Sequence, residues 1–435
     1  MKITKLELTN FRCFEHYELN LSDRFNLLIG DNGSGKTAIL DAIAIASGDL
    51  LHTTEINKLS ERNRIDDDDM RFIFKTMGQT ITKETAETTK LRILGIIDRK
   101  DFNVTHDKFG QTESIQGSAL IKQKLEDKTN SNILFPIIIH YGTNRLWQRI
   151  SSLDIETLPP DSRLLGYKDC LNTASNLKQI LRWFKTQELA ALQKKQRRHV
   201  LEAVREAIIK MIPDTKNVFW DMDWDELIIE TEIQGKLQSL PFRLLSDGYR
   251  NMIGIVADIA YRMATLNPQL EKDVIQQTEG IVLIDEIDLH LHPKWQRIVV
   301  ERLLNTFPKV QFVATTHSPF IIQSLRSGEQ LIMLEGQPTA QLANKSIEEI
   351  AQGIMGVENI TRKIMNVENP EVAQRYMEMK TVAKHYLETL EEAAISPEEK
   401  LEAFKQRLSE SIAPYADNPA FQAILEMERV AKLGE

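Results

Sequence analysis

The chain has 435 residues, 42% of them hydrophobic and 27% charged, an ordinary globular composition with length for two or three domain-sized pieces and a large core. Its formal charge of -9 excludes a protein that coats nucleic acid by bulk electrostatics, so any DNA contact has to be local or lent by a partner. No apolar run approaches the roughly 20 residues that cross a bilayer and the first residues lack the apolar stretch of a signal peptide, so a cytoplasmic chain without membrane contact is expected.

In chain order, the residues from Lys5 to Leu8 and from Tyr17 to Leu21 alternate apolar with polar, as half-buried strands of a hairpin do. Cys13 lies near this hairpin and far from Cys170; the two make neither a disulfide framework nor a zinc pair, and both read as packing residues. A buried strand, Phe25 to Ile29, runs into a glycine loop and then a helix from about Thr37 to Ala46. The run Asp66 to Asp69 reads as a solvated loop, and Leu91 to Ile97 and Ile133 to Tyr141 are further strand candidates. Between Gly166 and Pro213 there is neither glycine nor proline, and Val200, Val204, Ala207, Ile208, Met211 and Ile212 recur at helical spacing. One helix or a helical hairpin fits there, a stubby arm of at most about 65 Å. Buried strands return at Ile281 to Ile284 and Val310 to Ala314, and they flank a helix after Pro293. Beyond about Ser346 the chain reads as helical, with a cap residue before proline at Asn369, Ser396 and Asn418.

The strongest chemical signal is Gly30-Asp31-Asn32-Gly33-Ser34-Gly35-Lys36-Thr37 between a strand and a helix, a full P-loop. Its glycines let backbone N–H groups curl around phosphates, and the helix that continues through Ala38 points its positive end at them. Lys36 is expected on the β- and γ-phosphates and the Thr37 hydroxyl on magnesium. A second element, Ile281 to Glu286, delivers two carboxylates to a strand end, where ligands bind in open α/β sheets. Asp285 is expected to hold magnesium, and Glu286 to act as general base on the attacking water. Leu245-Ser246-Asp247-Gly248-Tyr249 opens a helix, Thr315-Thr316-His317-Ser318-Pro319 ends a strand, and Asp288-Leu289-His290-Leu291-His292-Pro293 follows the paired acids. The His-x-His spacing at His290 and His292 has no third ligand nearby, so a loop is the preferred reading over a metal site.

In this order the motifs resemble the RecF/SMC branch of ABC ATPases, over roughly 1–50 and 218–335. The resemblance implies that Ser246, Asp247 and Gly248 form the signature, with Asp247 where the family usually has glycine. It also implies that the signature closes on the nucleotide held by a second subunit, that His317 is the switch histidine, and that residues 288–293 form the loop crossing the dimer interface. Arg12, within Asn10-Phe11-Arg12-Cys13-Phe14, matches a segment whose arginine reaches nucleotide phosphates; the usual coupling glutamine is not evident, with Gln148 a weak candidate. The runs Tyr141 to Trp147, Leu245 to Met252, Asp285 to Trp295 and Ile347 to Ile350 are similar to the compact bacterial ATPases that include PtuA of the Septu anti-phage systems and the ATPases of some retrons.

That resemblance implies an α/β fold: a P-loop NTPase head of the ABC type with an inserted helical arm and a helical C-terminal tail. The expected organisation is a first ATPase lobe at 1–150, the arm at 151–217, a second lobe at 218–345 and the tail at 346–435. It implies ATP and magnesium as cofactors, a homodimer or higher homo-oligomer, and a separate HNH nuclease as effector. In retrons a reverse transcriptase and its RNA–DNA product join them. The competing implication is a DNA-binding ATPase of repair or chromosome maintenance, for which Lys194, Lys195, Arg197 and Arg198 are the best phosphate contacts. A fused TOPRIM nuclease is excluded, because its metal chemistry needs an Asp-x-Asp pair and the only aspartate after Asp288 is Asp417.

Overall fold

The computed structural model describes residues 1–51, 64–77, 80–108, 113–115, 132–145, 162–173, 177–233, 235–326 and 330–334, and nearer the C-terminus 360, 365, 374–394, 401–412, 425, 427–430 and 432. The chain forms two compact units, Met1–Val357 and Glu358–Glu435.

In the first unit, β1 (Lys2–Phe11) and β2 (Phe14–Asn20) pair as the antiparallel hairpin their alternation predicts, with Leu6 opposite Leu19. The next strand, β3 (Phe25–Ile29), is buried on both faces and leads into α1 (Lys36–Leu50), longer at both ends than the sequence pattern suggests. A separate hairpin, β4 (Phe72–Met77) and β5 (Thr80–Thr85), precedes β6 (Lys90–Ile97), β7 (Lys100–Asp107) and β8 (Glu113–Ile115). These last three extend the first hairpin into an antiparallel sheet of order β2-β1-β6-β7-β8. After β9 (Ile137–Tyr141) come the helices α2 (Leu177–Lys194) and α3 (His199–Met211), then a three-stranded antiparallel sheet of β10 (Thr215–Asp221), β11 (Glu226–Ile233) and β12 (Lys236–Pro241). The unit continues with α4 (Asp247–Leu266), β13 (Gly280–Ile284), α5 (Val299–Thr306), β14 (Val310–Thr315) and β15 (Gln330–Met333).

The central sheet is parallel, in the order β15-β3-β14-β13-β9. Strands β3, β13, β14 and β9 are buried at every position, which is why they are mostly apolar; helices and the second sheet cover both faces. Helix α1 lies between the two sheets, touching β1, β6 and β7 on one side and β9, β13 and β14 on the other. Gln311 stitches the sheets together: its amide donates to the Ile3 carbonyl at 2.7 Å and accepts from the Ile3 N–H at 2.8 Å, so a buried polar group is satisfied.

Three expectations need correction. The stubby arm is a hairpin of α2 and α3, but it is seated on the head, because α3 buries Leu201, Val204, Ala207, Ile208 and Met211 against α4, α5 and β10. Trp183 of α2 likewise packs edge-on against Tyr261 of α4, with ring centroids 5.6 Å apart. The amphipathic spacing was real, but its apolar face closes on the head. The acidic run is not wholly solvated either: residues 67–69 form a short 3-10 helix, and Asp69 is buried where it accepts from Arg12. Finally, Cys170 is buried but Cys13 is exposed.

In the second unit, α6 (Gln374–Ala394) and α7 (Leu401–Ile412) are helical as expected, and Tyr386, Leu390, Leu408 and Leu425 make a buried cluster of their own. The proline caps at 369, 396 and 418, the run Ile347 to Ile350, and Gln148 lie outside the described residues. Among the described residues, no helix is long and apolar enough to cross a membrane.

Candidate functional site

The P-loop, the paired acids and the switch-histidine segment each follow the C-terminal end of a parallel strand. The P-loop follows β3, Asp285 and Glu286 follow β13, and Thr316 and His317 follow β14. In open α/β sheets this edge is where ligands bind. A cleft of about 310 Å³ is lined there by Arg12, Asn32, Gly33, Gly35, Lys36, Thr37, Ala38, Asp285, Glu286 and His317, with Cys13 at its wall.

The loop has the backbone a phosphate cradle requires, with Gly33 at φ 89° and Gly35 at φ 96°, both left-handed. At Gly35 space matters as much as conformation, since a Cβ would stand 2.5 Å from Phe14 Cζ and 2.7 Å from Cys13 Sγ. The turn of the first hairpin therefore lies directly on the P-loop. Lys36 is buried and its ammonium donates to the carbonyls of Gly30 and Asp31 at 2.7 and 2.8 Å. Asp31 contributes this carbonyl while its side chain is exposed, and neither Asp31 nor Ser34 lines the cleft.

Thr37 Oγ1 donates to Asp285 Oδ2 at 2.9 Å, and Thr315 Oγ1 donates to Asp285 Oδ1 at 2.6 Å. A hydroxyl and a carboxylate thus stand together at the wall of the cleft. Such hard oxygen donors suit magnesium, so the residues present fit that ion. Glu286 has φ 46°, uncommon for a residue with a side chain, and its N–H donates to Thr315 Oγ1 at 2.7 Å. His317 is exposed at the cleft, while Thr316 beside it bonds Asp288 and accepts from the Ser318 N–H at 2.9 Å.

Arg12 lines the cleft, but its guanidinium is held by Asp41 at 2.6 Å and Asp69 at 2.8 Å. Burial works against its charge, and the two carboxylates outweigh that and hold its pKa above the ordinary value. Its partners went unrecognised in the sequence, where Asp41 is one polar residue in an apolar helix and Asp69 the end of an acidic run.

The signature residues do not line this cleft. Ser246 is the exposed N-cap of α4, with no side-chain capping bond, and Asp247 is exposed and paired with Arg250. Gly248 faces the loop after the paired acids, where a Cβ would lie 2.5 Å from the His290 carbonyl oxygen. Tyr249 packs on Trp295 with ring centroids 4.5 Å apart. His292 caps the short helix Pro293–Gln296 by accepting from the Lys294 N–H, and among the described residues no group of three or more His, Cys, Asp or Glu side chains that could hold a metal ion occurs.

Sequence reasoning also missed Arg145, which is 1% exposed. It donates to the carbonyls of Gly142 at 2.8 Å, of Asp285, and of Glu286 at 2.6 Å, and to Asn251 Oδ1 at 3.2 Å. Burial lowers its pKa to about 10 although Asp285, Glu286 and Asp288 pull it upward. It stood within a run noted for family likeness alone, with nothing local to mark it.

Parallel sheet, P-loop and paired acids at one strand edge define a P-loop NTPase. Comparison with known families agrees: the model described as "AAA domain, putative AbiEii toxin, Type IV TA system" matches residues 25–323, and the chain belongs to that family. The chain is 24% identical to the Retron Vc95 probable ATPase of Vibrio cholerae, over 77% of this chain and 74% of that one. It is 29% identical to the Septu protein PtuA of Bacillus mycoides over 77% of its own length, although the match spans only 41% of that relative. Among solved structures, the Smc head domain from Pyrococcus furiosus aligns with a TM-score of 0.44 at 18% identity, covering 80% of this chain and 99% of that one. The relatives it resembles are thus ATPases of retrons and proteins of Septu systems.

Proposed function

We propose that two copies of this chain close around ATP and magnesium, and that hydrolysis at the composite site controls a separate effector in anti-phage defence. The observation that carries this reading is the division of the motifs. One cleft gathers the P-loop, Asp285, Glu286 and His317, while Ser246 stands exposed outside it. In this reading Lys36 and the P-loop N–H groups bind the phosphates and His317 contacts the terminal one. Thr37 and Asp285 would hold magnesium, which when bound neutralises charge developing on the phosphates. Glu286 takes the proton of the attacking water as general base. Ser246, Asp247 and Gly248 of the second copy complete the site. Arg12, tied to Asp41 and Asp69, stands at the cleft's edge to reach the phosphates.

The retron and Septu names of the relatives support defence as the setting; in this reading the effector is a separate HNH nuclease, joined in a retron by a reverse transcriptase with its RNA–DNA. The turn between α2 and α3 exposes Lys194, Lys195 and Arg197 with Arg198 half-buried, a local patch through which nucleic acid could be touched by a chain of net charge -9.

Light scattering on Glu286→Gln with ATP and magnesium tests the composite site, because slowed hydrolysis should accumulate the closed state. A shift from one copy to two on adding ATP is expected. An unchanged mass at saturating ATP overturns dimerisation around the nucleotide.

A further inference from the structure

Glu286 sits in a left-handed backbone conformation that a residue with a side chain adopts only when its surroundings hold it there. Two bonds hold it. Thr315 Oγ1 accepts its N–H at 2.7 Å, and the Arg145 guanidinium donates to its carbonyl at 2.6 Å. The same guanidinium also takes the carbonyl of Asp285, so a single buried cation grips the backbone of both acids.

Arg145 does not end there, because its Nε donates to Asn251 on α4, and the Asn251 amide donates in turn to the Leu289 carbonyl at 2.9 Å. Asn251 lies five residues after Ser246, in the first turns of the same helix. A second buried bridge runs parallel to this one: the Tyr141 hydroxyl donates to Asp258 at 2.8 Å, and Asp258 is paired with Arg262 at 2.9 Å. Both bridges join α4 to β9 or to the loop that leaves it. Helix α4 therefore reaches the acids through two buried side chains, Asn251 and Arg145.

We propose that Arg145 is the positioning residue that sets the carboxylate of Glu286, and that with Asn251 it transmits displacement at the signature end of α4 to the hydrolytic acid. Arg145 itself touches carbonyls and an amide, with no role in gripping nucleotide, and lies outside the lining of the cleft. The inference rests on the reading of Glu286 as general base. It adds how a signature engaged by a second copy would be registered at the acids: a shift of α4 pulls on Asn251, Arg145 follows, and the Glu286 carbonyl moves with it.

The test measures ATP affinity by calorimetry with magnesium, and steady-state hydrolysis, for the full chain and for Arg145→Lys, Arg145→Gln, Asn251→Ala and the Arg145→Gln/Asn251→Ala double variant. Arg145→Gln should keep its Kd for ATP within about threefold while kcat falls about 100-fold, the scale on which misplacing a catalytic group acts. Arg145→Lys, which keeps a donor and the charge, should recover part of that loss. Asn251→Ala should cost about 10-fold in kcat, and the double variant should be no slower than Arg145→Gln, because both act through one path. Wild-type kcat in Arg145→Gln, or additive losses in the double variant, would overturn the proposal. So would affinity falling in step with kcat in the mild Arg145→Lys, which marks a general structural role. Separately, if Glu286→Gln hydrolyses ATP as fast as the wild type, the reading beneath the proposal fails first.

Discussion

The P-loop half of the site and the signature half are built in opposite ways. Around the P-loop, polar groups are consumed internally: Lys36 on two loop carbonyls, Thr37 and Thr315 on Asp285, Arg12 between Asp41 and Asp69. At the signature, Ser246 and Asp247 are exposed at a helix start whose N-cap side chain makes no capping bond, and Leu244 beside them is 62% exposed. Gly248 on the His290 backbone anchors that turn to the rest of the head. On the reading proposed above, one half is pre-organised for phosphate, which lowers the cost of binding, whereas the other is fixed in place and presented outward.

The largest expected effects separate the roles within the P-loop half. Replacing Lys36 with alanine should abolish measurable ATP binding, because the buried phosphate array loses its cation. Glu286→Gln should retain binding while hydrolysis falls at least about 100-fold. Equal loss of affinity in both would remove Glu286 from its assigned task and blur the two halves into one. Next in size is complementation between the halves. An equimolar mixture of inactive Lys36→Ala and Ser246→Arg chains should regain about a quarter of wild-type hydrolysis, since half of randomly paired dimers carry one intact site of two. A mixture as inactive as its components, with exchange verified by a tagged partner, would mean that the signature does not act across copies. The smallest effect concerns the anchor: Gly248→Ala forces a methyl against the His290 carbonyl and should lower stability by about 1–2 kcal/mol. Thermal unfolding would read this as a modest drop in Tm, and an unchanged Tm would show that the turn is not seated as described.

Much of the fold was legible where the pattern is local. The first hairpin, the buried strands β3, β13 and β14, and the P-loop each declare themselves within a dozen residues, because period-two alternation, mostly apolar runs and glycine spacing are short-range consequences of backbone geometry. What escaped was every role defined by a distant partner. Arg145 acts on residues 140 positions away, Thr315 on a residue 30 positions away, and Asp69 pairs with an arginine 57 positions back in the chain. Amphipathic spacing in α3 announced a buried face without saying what would cover it, so helices packed on the head read as a stubby arm. The left-handed backbone at Glu286 leaves no trace in sequence, because glutamate carries no preference for it.

The order of strands in the central sheet has a consequence for how this protein is made. The strand that carries the P-loop, β3, finds its neighbours in β14 and β15, both more than 280 residues further along the chain. At roughly 5–20 residues per second, a ribosome needs on the order of tens of seconds to deliver them. Throughout that interval the apolar segment Phe25–Ile29 has no edge to join, and a nascent chain carrying a complete P-loop has no sheet on which to hold it. Synthesis itself therefore delays nucleotide binding until nearly the whole head has emerged, and it leaves an aggregation-prone strand to be shielded in the meantime.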